Sequence, residues 1–362
     1  MSEETLERGE SFVTESLTNW TPRFVANGID YNDMARLETA IDDWSEWLGA
    51  FQRVGREYET LGDEARDRGD EESAGDHYTR AAMYYHFGSH VWHEDDDRSR
   101  DVHADAVDVF RRGAELLEPT FERIEAPYDA GGFDVPANLR TPVGSEGAPL
   151  VVLIPGLDSI KEELSTYAAE FHDRGLATVA VDGAGQGETW HEQGMTPEYP
   201  ALVGSVLDEL ERRDPDSVDT SRIGIYGVSL GGFYAPYVAA NEDRIDACVG
   251  ISGPFTVGPV STRGGGLLAE QFAWACKTDS LIEVDEITEQ LTLSRDIENL
   301  TVPTLVATGA NDVIIHPRQS ERIARRAPNG EFLLYDEGNH VCNNIPHKYR
   351  PRTADWLRAH LE

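Results

Sequence analysis

The stretch Arg222-Ile223-Gly224-Ile225-Tyr226-Gly227-Val228-Ser229-Leu230-Gly231-Gly232-Phe233 decides how this chain is read. Its first half is a short apolar run that predicts a buried strand, and Phe233–Ala240 predicts a helix. Between them lies Gly227-Val228-Ser229-Leu230-Gly231, the pattern G-x-S-x-G. A tight turn from strand to helix crowds the backbone, and the two glycines let chain segments approach without a Cβ clash. The turn lifts the serine hydroxyl above the sheet, and the helix N-terminus beside it favours developing negative charge. Ser229 is therefore the candidate nucleophile.

An alcohol is a weak nucleophile at neutral pH. It needs an imidazole to take its proton and a carboxylate to fix the tautomer. On this strand–turn–helix frame the acid precedes the histidine, each in a loop after a later strand. Asp312 lies in Gly309-Ala310-Asn311-Asp312, after the apolar run Thr304–Thr308. His340 lies in Glu337-Gly338-Asn339-His340, after Phe332–Tyr335. Both positions are carboxyl ends of predicted strands, where α/β sheets place their sites. Asp336 and Glu337 precede the histidine by too little chain to reach its far nitrogen from a different loop. Two backbone amides complete the candidate site as an oxyanion hole: Leu230, after the nucleophile, and Leu157 in Ile154-Pro155-Gly156-Leu157-Asp158. Gly156 lets that loop turn in close.

Working outward, Phe121–Tyr128 and Phe133–Arg140 predict a hairpin joined by Asp129-Ala130-Gly131-Gly132. The apolar runs Leu150–Ile154, Ala177–Val181, Ile223–Tyr226, Ala247–Ile251, Thr304–Thr308 and Glu331–Tyr335 then alternate with helical stretches. Continuous runs of this length, separated by helices, mark a parallel sheet covered on both faces. An antiparallel hairpin followed by six parallel strands is the order expected of an α/β-hydrolase fold. Residues 1–117 read differently. Trp44, Trp47, Leu48, Phe51 and Tyr58 fall near helical spacing, as do Val102, Ala106, Val109 and Phe110. Gly62, Gly69 and Gly75 punctuate the pattern. The expected organisation is an all-helical N-terminal cap domain of four or five helices over 1–117 and a catalytic domain over 118–362. Residues 253–300 break the strand–helix rhythm and are expected to form an insertion near the pocket.

Charge narrows the partners. The chain carries 31 basic and 67 acidic residues, a formal net charge of −36. Its only lysines are Lys161, Lys277 and Lys348. Such a field repels nucleic acid and anionic membranes, which leaves a small-molecule substrate as the expected partner. A surface rich in Asp and Glu and poor in Lys resembles proteins of halophilic archaea, whose cells hold high internal salt. Three cysteines, Cys248, Cys276 and Cys342, give no disulfide framework and suit a reducing interior. The N-terminal residues have neither a basic start nor an apolar stretch, and no run is long and apolar enough to span a bilayer. The expected location is the cytoplasm.

Two other clusters carry less. His86, His90 and His93, with Glu94 and Asp95–Asp97, lack the HExxH pattern and read as an acidic helix end, so no metal is expected. Asp182-Gly183-Ala184-Gly185-Gln186-Gly187 has neither the order G-x-G-x-x-G nor a P-loop lysine. It reads as the glycine turn after the second parallel strand, with no nucleotide or other cofactor implied.

The helical N-terminal region, the stretch Pro155-Gly156-Leu157-Asp158-Ser159-Ile160-Lys161-Glu162-Glu163, the 182–187 turn, the serine motif and the late Asp and His together resemble the 2,6-dihydroxypseudooxynicotine hydrolase family. Its relatives include fungal polyketide-shortening hydrolases and fermentation–respiration switch esterases. The resemblance implies a helical cap, a homodimer, and hydrolysis of a C–C bond next to a carbonyl or of an ester. It also implies an additional acid near the nucleophile. The corresponding stretch here, Pro259-Val260-Ser261-Thr262-Arg263, holds none, which leaves Glu270 and Glu162 as candidates. Pocket aromatics are expected at Tyr85 and Trp92 from the cap and at Phe255 and Trp274 from the insertion. A non-catalytic binding or regulatory protein on the same fold is the competing reading, and the triad speaks against it. A peptidase ranks lower still, because large exopeptidases of this fold carry a propeller domain and the N-terminal region here lacks strand repeats.

Overall fold

A computed structural model describes residues 9–118, 120–259 and 266–362. The chain divides into two compact units, Met1–Pro119 and Thr120–Glu362.

The first unit is helical. Its described residues form α1 (Glu10–Ala26), α2 (Tyr31–Ala40), α3 (Trp47–Arg68), α4 (Glu71–Ser89) and α5 (Asp96–Leu117), with a 3-10 turn at Trp44–Glu46. Aromatic side chains build its core. Trp44, Trp47, Phe24, Phe51 and Phe87 are fully buried, and Trp47 Nε1 donates to the Phe87 carbonyl at 3.1 Å. The expectation for two of the three punctuating glycines fails here. Gly69 does end α3, in the left-handed conformation. Gly62 and Gly75 instead lie inside helices. A Cβ at Gly62 would sit 2.6 Å from the Tyr78 ring, and one at Gly75 would sit 2.5 Å from Leu117. These glycines admit a neighbouring helix, and the packing gained offsets their poor helix propensity.

The second unit is one eight-stranded sheet in the order β1-β2-β4-β3-β5-β6-β7-β8. The strands are β1 (Glu122–Tyr128), β2 (Phe133–Arg140), β3 (Ala148–Ile154), β4 (Ala177–Val181), β5 (Val218–Val228), β6 (Ile245–Ile251), β7 (Thr304–Gly309) and β8 (Gly330–Tyr335). The hairpin partner β2 pairs antiparallel with both β1 and β4, and every later pairing is parallel. The connecting helices are α6 (Ser165–His172), α7 (Tyr199–Arg213), α8 (Gly231–Ala239), α9 (Leu267–Cys276), α10 (Leu281–Thr288), α11 (Pro317–Arg326) and α12 (Pro346–Leu361).

Strand β3 explains why these strands read as unbroken apolar runs. Leu150, Val152 and Ile154 join the core on one face, and Val151 and Leu153 join the core on the other. Successive side chains alternate sides, so a sheet covered twice needs apolar residues at every position. This is the architecture expected from the sequence: an α/β-hydrolase sheet, with a helical region N-terminal to it. The 253–300 stretch connects β6 to β7 and carries α9 and α10. No helix among the described residues is long and apolar enough to cross a membrane.

Candidate active site

The G-x-S-x-G turn is strained where the chemistry would be. Ser229 lies between β5 and α8 with φ 57°, a left-handed conformation that few non-glycine residues adopt. Its amide donates to the Ile251 carbonyl at 2.8 Å, which ties the turn to the end of β6. A Cβ at Gly227 would lie 1.9 Å from the Gly231 carbonyl oxygen, and one at Gly231 would lie 2.3 Å from the Ile154 oxygen. Only glycine fits at either position, because the turn doubles back against β3.

Asp312 and His340 converge on this serine. His340 Nε2 lies 2.9 Å from Ser229 Oγ, and His340 Nδ1 lies 2.8 Å from Asp312 Oδ2. The Asp312 side chain is fully buried. Its other oxygen, Oδ1, accepts from the Ile314 and Ile315 amides at 3.0 and 2.8 Å. These bonds fix the carboxylate plane and turn Oδ2 towards the histidine. An ionised carboxylate only accepts, so Nδ1 carries the hydrogen and Nε2 presents its lone pair to the serine hydroxyl. An imidazole held this way can draw a proton from the alcohol.

The histidine loop is braced by residues the sequence reading did not single out. Ser252, at the end of β6 with φ 51°, takes the Val341 amide on its hydroxyl at 3.0 Å. Its own amide donates to the Ala307 carbonyl, and its hydroxyl lies 3.1 Å from Thr308 Oγ1. One side chain thus joins β6, β7 and the residue after His340. Asn339 and Asn344 exchange bonds across the same loop at 2.9 and 3.2 Å. The Glu337 carboxylate is occupied elsewhere, paired with Lys348, and the backbone carbonyl of Asp336 accepts from Asn311.

The loop after β3 passes directly beside the hydroxyl. A Cβ at Gly156 would lie 3.2 Å from Ser229 Cβ and 3.7 Å from its Oγ. Among the described residues, neither the Leu157 nor the Leu230 amide donates to another group of the protein.

The same loop ends in a buried ionic cluster. The fully buried Lys161 ammonium contacts Asp182 Oδ2 at 2.8 Å, Glu162 Oε1 at 2.9 Å and Glu188 Oε2. Arg123 grips Glu188 bidentately at 2.8 and 3.0 Å. Although burial pushes the Glu188 carboxyl up, Lys161 and Arg123 hold it low, at about 2. Glu162 behaves oppositely: burial raises it against the pull of Lys161, and its Oε2 has no partner among the described residues. Its folded value therefore lies above the unfolded one of 4.5. The folded protein keeps a proton that the unfolded chain has already released, so stability is full below the ordinary carboxylate range and is lost as pH rises through the raised value. Glu162→Gln is expected to flatten that decline, read as urea midpoints between about pH 5 and pH 8.

The remaining expected site residues fall in three places. Tyr85 and Trp92 are core members of the first unit; the Tyr85 hydroxyl donates to Glu59 at 2.7 Å and Trp92 Nε1 to the Trp44 carbonyl at 3.0 Å. Phe255 is fully buried in the core of the second unit, beneath the Arg322 guanidinium at 3.9 Å. Trp274 is half-buried and stacks on Trp190 at 4.0 Å. Glu270 lies exposed in the first turn of α9. Val260–Arg263, where the additional acid was sought, are outside the described residues. His86 and His90 belong to the aromatic core of the first unit, and no described cluster of His, Cys, Asp and Glu is arranged to hold a metal.

Similarity to known proteins places the chain in a family. The family model described as esterase FrsA-like matches residues 35–257, and that of the prolyl oligopeptidase family matches residues 162–362. The chain is 28% identical over 347 residues to a 2,6-dihydropseudooxynicotine hydrolase of Paenarthrobacter nicotinovorans, covering 95% of this chain and 92% of that one. It is 34% identical over 208 residues to the hydrolase ORFZ of Pyricularia oryzae, of which it spans about half, 48%. Among solved structures, that of 2,6-dihydroxy-pseudo-oxynicotine hydrolase superposes with a TM-score of 0.85 at 28% identity, covering 95% of this chain and 96% of the other. AbyA5 superposes at 0.73 with 20% identity, covering 96% and 99%, and shares the fold. The chain is an α/β-hydrolase enzyme of the esterase FrsA-like family, and its C-terminal part also follows the pattern of the prolyl oligopeptidase family.

Proposed function

We propose that the protein is a serine hydrolase that works through an acyl-enzyme, with Ser229 as nucleophile, His340 as general base and Asp312 as the acid that orients the histidine. The observation that carries the reading is the continuous relay from Asp312 Oδ2 through His340 to Ser229 Oγ, with both contacts below 3 Å. His340 takes the hydroxyl proton as Oγ attacks a substrate carbonyl carbon. The oxyanion of the tetrahedral intermediate accepts from the Leu157 and Leu230 amides, each such donor supplying on the order of 3 kcal/mol. Collapse expels the leaving group, which receives its proton from His340. Water, deprotonated in turn by His340, then releases the acyl group as a carboxylic acid.

The acyl half is common to two substrate classes. A carboxylic ester expels an alkoxide, and a ketone activated for C–C cleavage expels a stabilised carbanion. The family model supports the first. The match along nearly the full chain to a dihydropseudooxynicotine hydrolase supports the second. A fluorophosphonate probe is expected to label Ser229 in the wild type and not in Ser229→Ala. Hydrolysis of short p-nitrophenyl esters, set against a panel of β-diketones, then separates the two leaving groups. A folded wild type that resists the probe would return the chain to the non-catalytic reading.

The charge of −36 supports a further proposal, that the protein works in concentrated salt. Like charges oppose the compact state, and raising ionic strength from 0.1 to 1 M cuts their range from about 10 Å to about 3 Å. The thermal midpoint is expected to climb steadily from low to molar KCl. Equal stability at both ends would sink the idea.

A further inference from the structure

The glycine turn at residues 182–187 read as a structural feature in the sequence. Its side chains instead grip the loop that carries one proposed oxyanion donor. Gln186 is almost wholly buried, 2% exposed. Its Nε2 donates to the Pro155 carbonyl at 2.8 Å and to the Gly156 carbonyl at 2.7 Å. Its Oε1 accepts from the Tyr199 hydroxyl at 2.7 Å and from the Gly183 amide at 3.2 Å. All four hydrogen-bonding positions of the side-chain amide are filled. The two carbonyls can only accept and the Gly183 amide can only donate, so the orientation of the Gln186 amide is fixed by its partners.

The Gly156 carbonyl and the Leu157 amide belong to one peptide unit. That unit is planar and trans, so its C=O and N–H point in opposite directions. Holding the Gly156 oxygen therefore sets the direction of the Leu157 N–H. A hydrogen-bonded carbonyl also polarises its own amide and makes it a better donor. We propose that Gln186 is a positioning residue for catalysis: it fixes the Gly156–Leu157 peptide plane and so aims the Leu157 amide at the developing oxyanion. The inference rests on the reading of Ser229 as nucleophile and Leu157 as oxyanion donor.

The surrounding residues hold Gln186 in turn. Tyr199, the first residue of α7, is fully buried and stacks on Tyr234 of α8 with ring centroids 3.8 Å apart. Burial keeps the Tyr199 hydroxyl protonated well beyond the usual phenol range, so it remains a donor. A Cβ at Gly183 would lie 2.3 Å from the Tyr199 ring, which explains why the turn carries glycine there. Asp182 holds the far end of the same loop, taking the Lys161 amide at 2.8 Å. The oxyanion loop is thus fastened at both ends by one turn, and through Tyr199 and Tyr234 that turn reaches the helix that follows Ser229.

Three variants test this with a fluorophosphonate and with p-nitrophenyl acetate. Gln186→Met keeps the volume and removes every bond. It is expected to slow Ser229 labelling and lower kcat by about 10- to 100-fold, with KM changed by less than about threefold. Tyr199→Phe keeps the stacked ring and removes only the bond to Oε1; it is expected to slow labelling by a few fold, and it carries the test if Gln186→Met does not fold. Gln186→Glu places a carboxylate against two carbonyls when ionised and regains one O–H donor when protonated. Its rate relative to wild type is expected to rise as pH is lowered, whereas the relative rate of Gln186→Met stays flat. Folded Gln186→Met labelled at the wild-type rate, or a flat Gln186→Glu ratio, overturns the inference while leaving Ser229 as nucleophile. A wild type that is not labelled fails the nucleophile reading and the inference with it.

Discussion

Asp312→Asn is expected to lower kcat about 10⁴-fold, and Ser229→Ala about 10⁶-fold, with the fold unchanged in both. The asparagine result follows from the hydrogen bonds around the carboxylate. The Ile314 and Ile315 amides donate to Oδ1. An asparagine must turn its carbonyl oxygen towards those two donors, which leaves its NH₂ facing His340 Nδ1. Two donors cannot share that contact, so Nδ1 gives up its hydrogen and Nε2 takes it. The proton now points at Ser229 Oγ, and the base is blocked although every atom is in place. The serine result follows because no other described hydroxyl stands at Nε2. Because the relay acts as a unit, Ser229→Ala combined with His340→Ala is expected to be no slower than either alone. Initial rates on a p-nitrophenyl ester, with near-ultraviolet dichroism as the folding control, decide the matter. Asp312→Asn within tenfold of wild type would show that another acid orients the histidine.

The largest stability effect is expected at Lys161. Its ammonium is the shared partner of Asp182 and Glu162, both almost without exposed surface, and of the half-screened Glu188. Lys161→Met leaves those carboxylates buried with no counter-charge at the centre, a loss of about 3–5 kcal/mol. In a unit of this size that lowers the melting temperature by roughly 6–20 °C. Adding Glu162→Gln to Lys161→Met is expected to recover little of the loss, since Glu162 already keeps its proton and the stranded charges are those of Asp182 and Glu188. Thermal unfolding of the two single variants and the double variant measures the coupling. A Lys161→Met protein as stable as wild type would show that the cluster holds its own protons and does not depend on the ammonium. Because Asp182 also takes the Lys161 amide, kcat is expected to fall along with stability.

Much of the catalytic unit was legible because its signals are local. Each strand of the parallel sheet is a short apolar run, and burial on both faces demands such a run whatever the rest of the chain does. The serine turn declares itself through two glycines that must sit against backbone. Asp312 and His340 could be paired with Ser229 by strand order, because parallel strands bring all their carboxyl ends to one edge. Ser252 was not legible. A serine at the end of a strand carries no sequence mark for the left-handed conformation that lets it join β6, β7 and the histidine loop. Phe255 looked like a pocket aromatic because it sits in the insertion, yet its ring lies in the core under Arg322. Gly62 and Gly75 looked like breaks because nothing local reveals which side chain a neighbouring helix will place against them.

By itself, then, the sequence determined the α/β architecture, the helical N-terminal region, and which serine, acid and histidine could form a relay, since each depends on periodicity, chain order or a backbone too crowded for a side chain. What only the tertiary structure decided is how that relay is held. Gln186 meets the loop after β3 across 30 residues, Lys161 meets Asp182 across 21, and Ser252 meets Val341 across 89. Such contacts are fixed by the packing of distant segments into one core, and a side-chain hydrogen bond at that separation leaves no periodic trace along the chain.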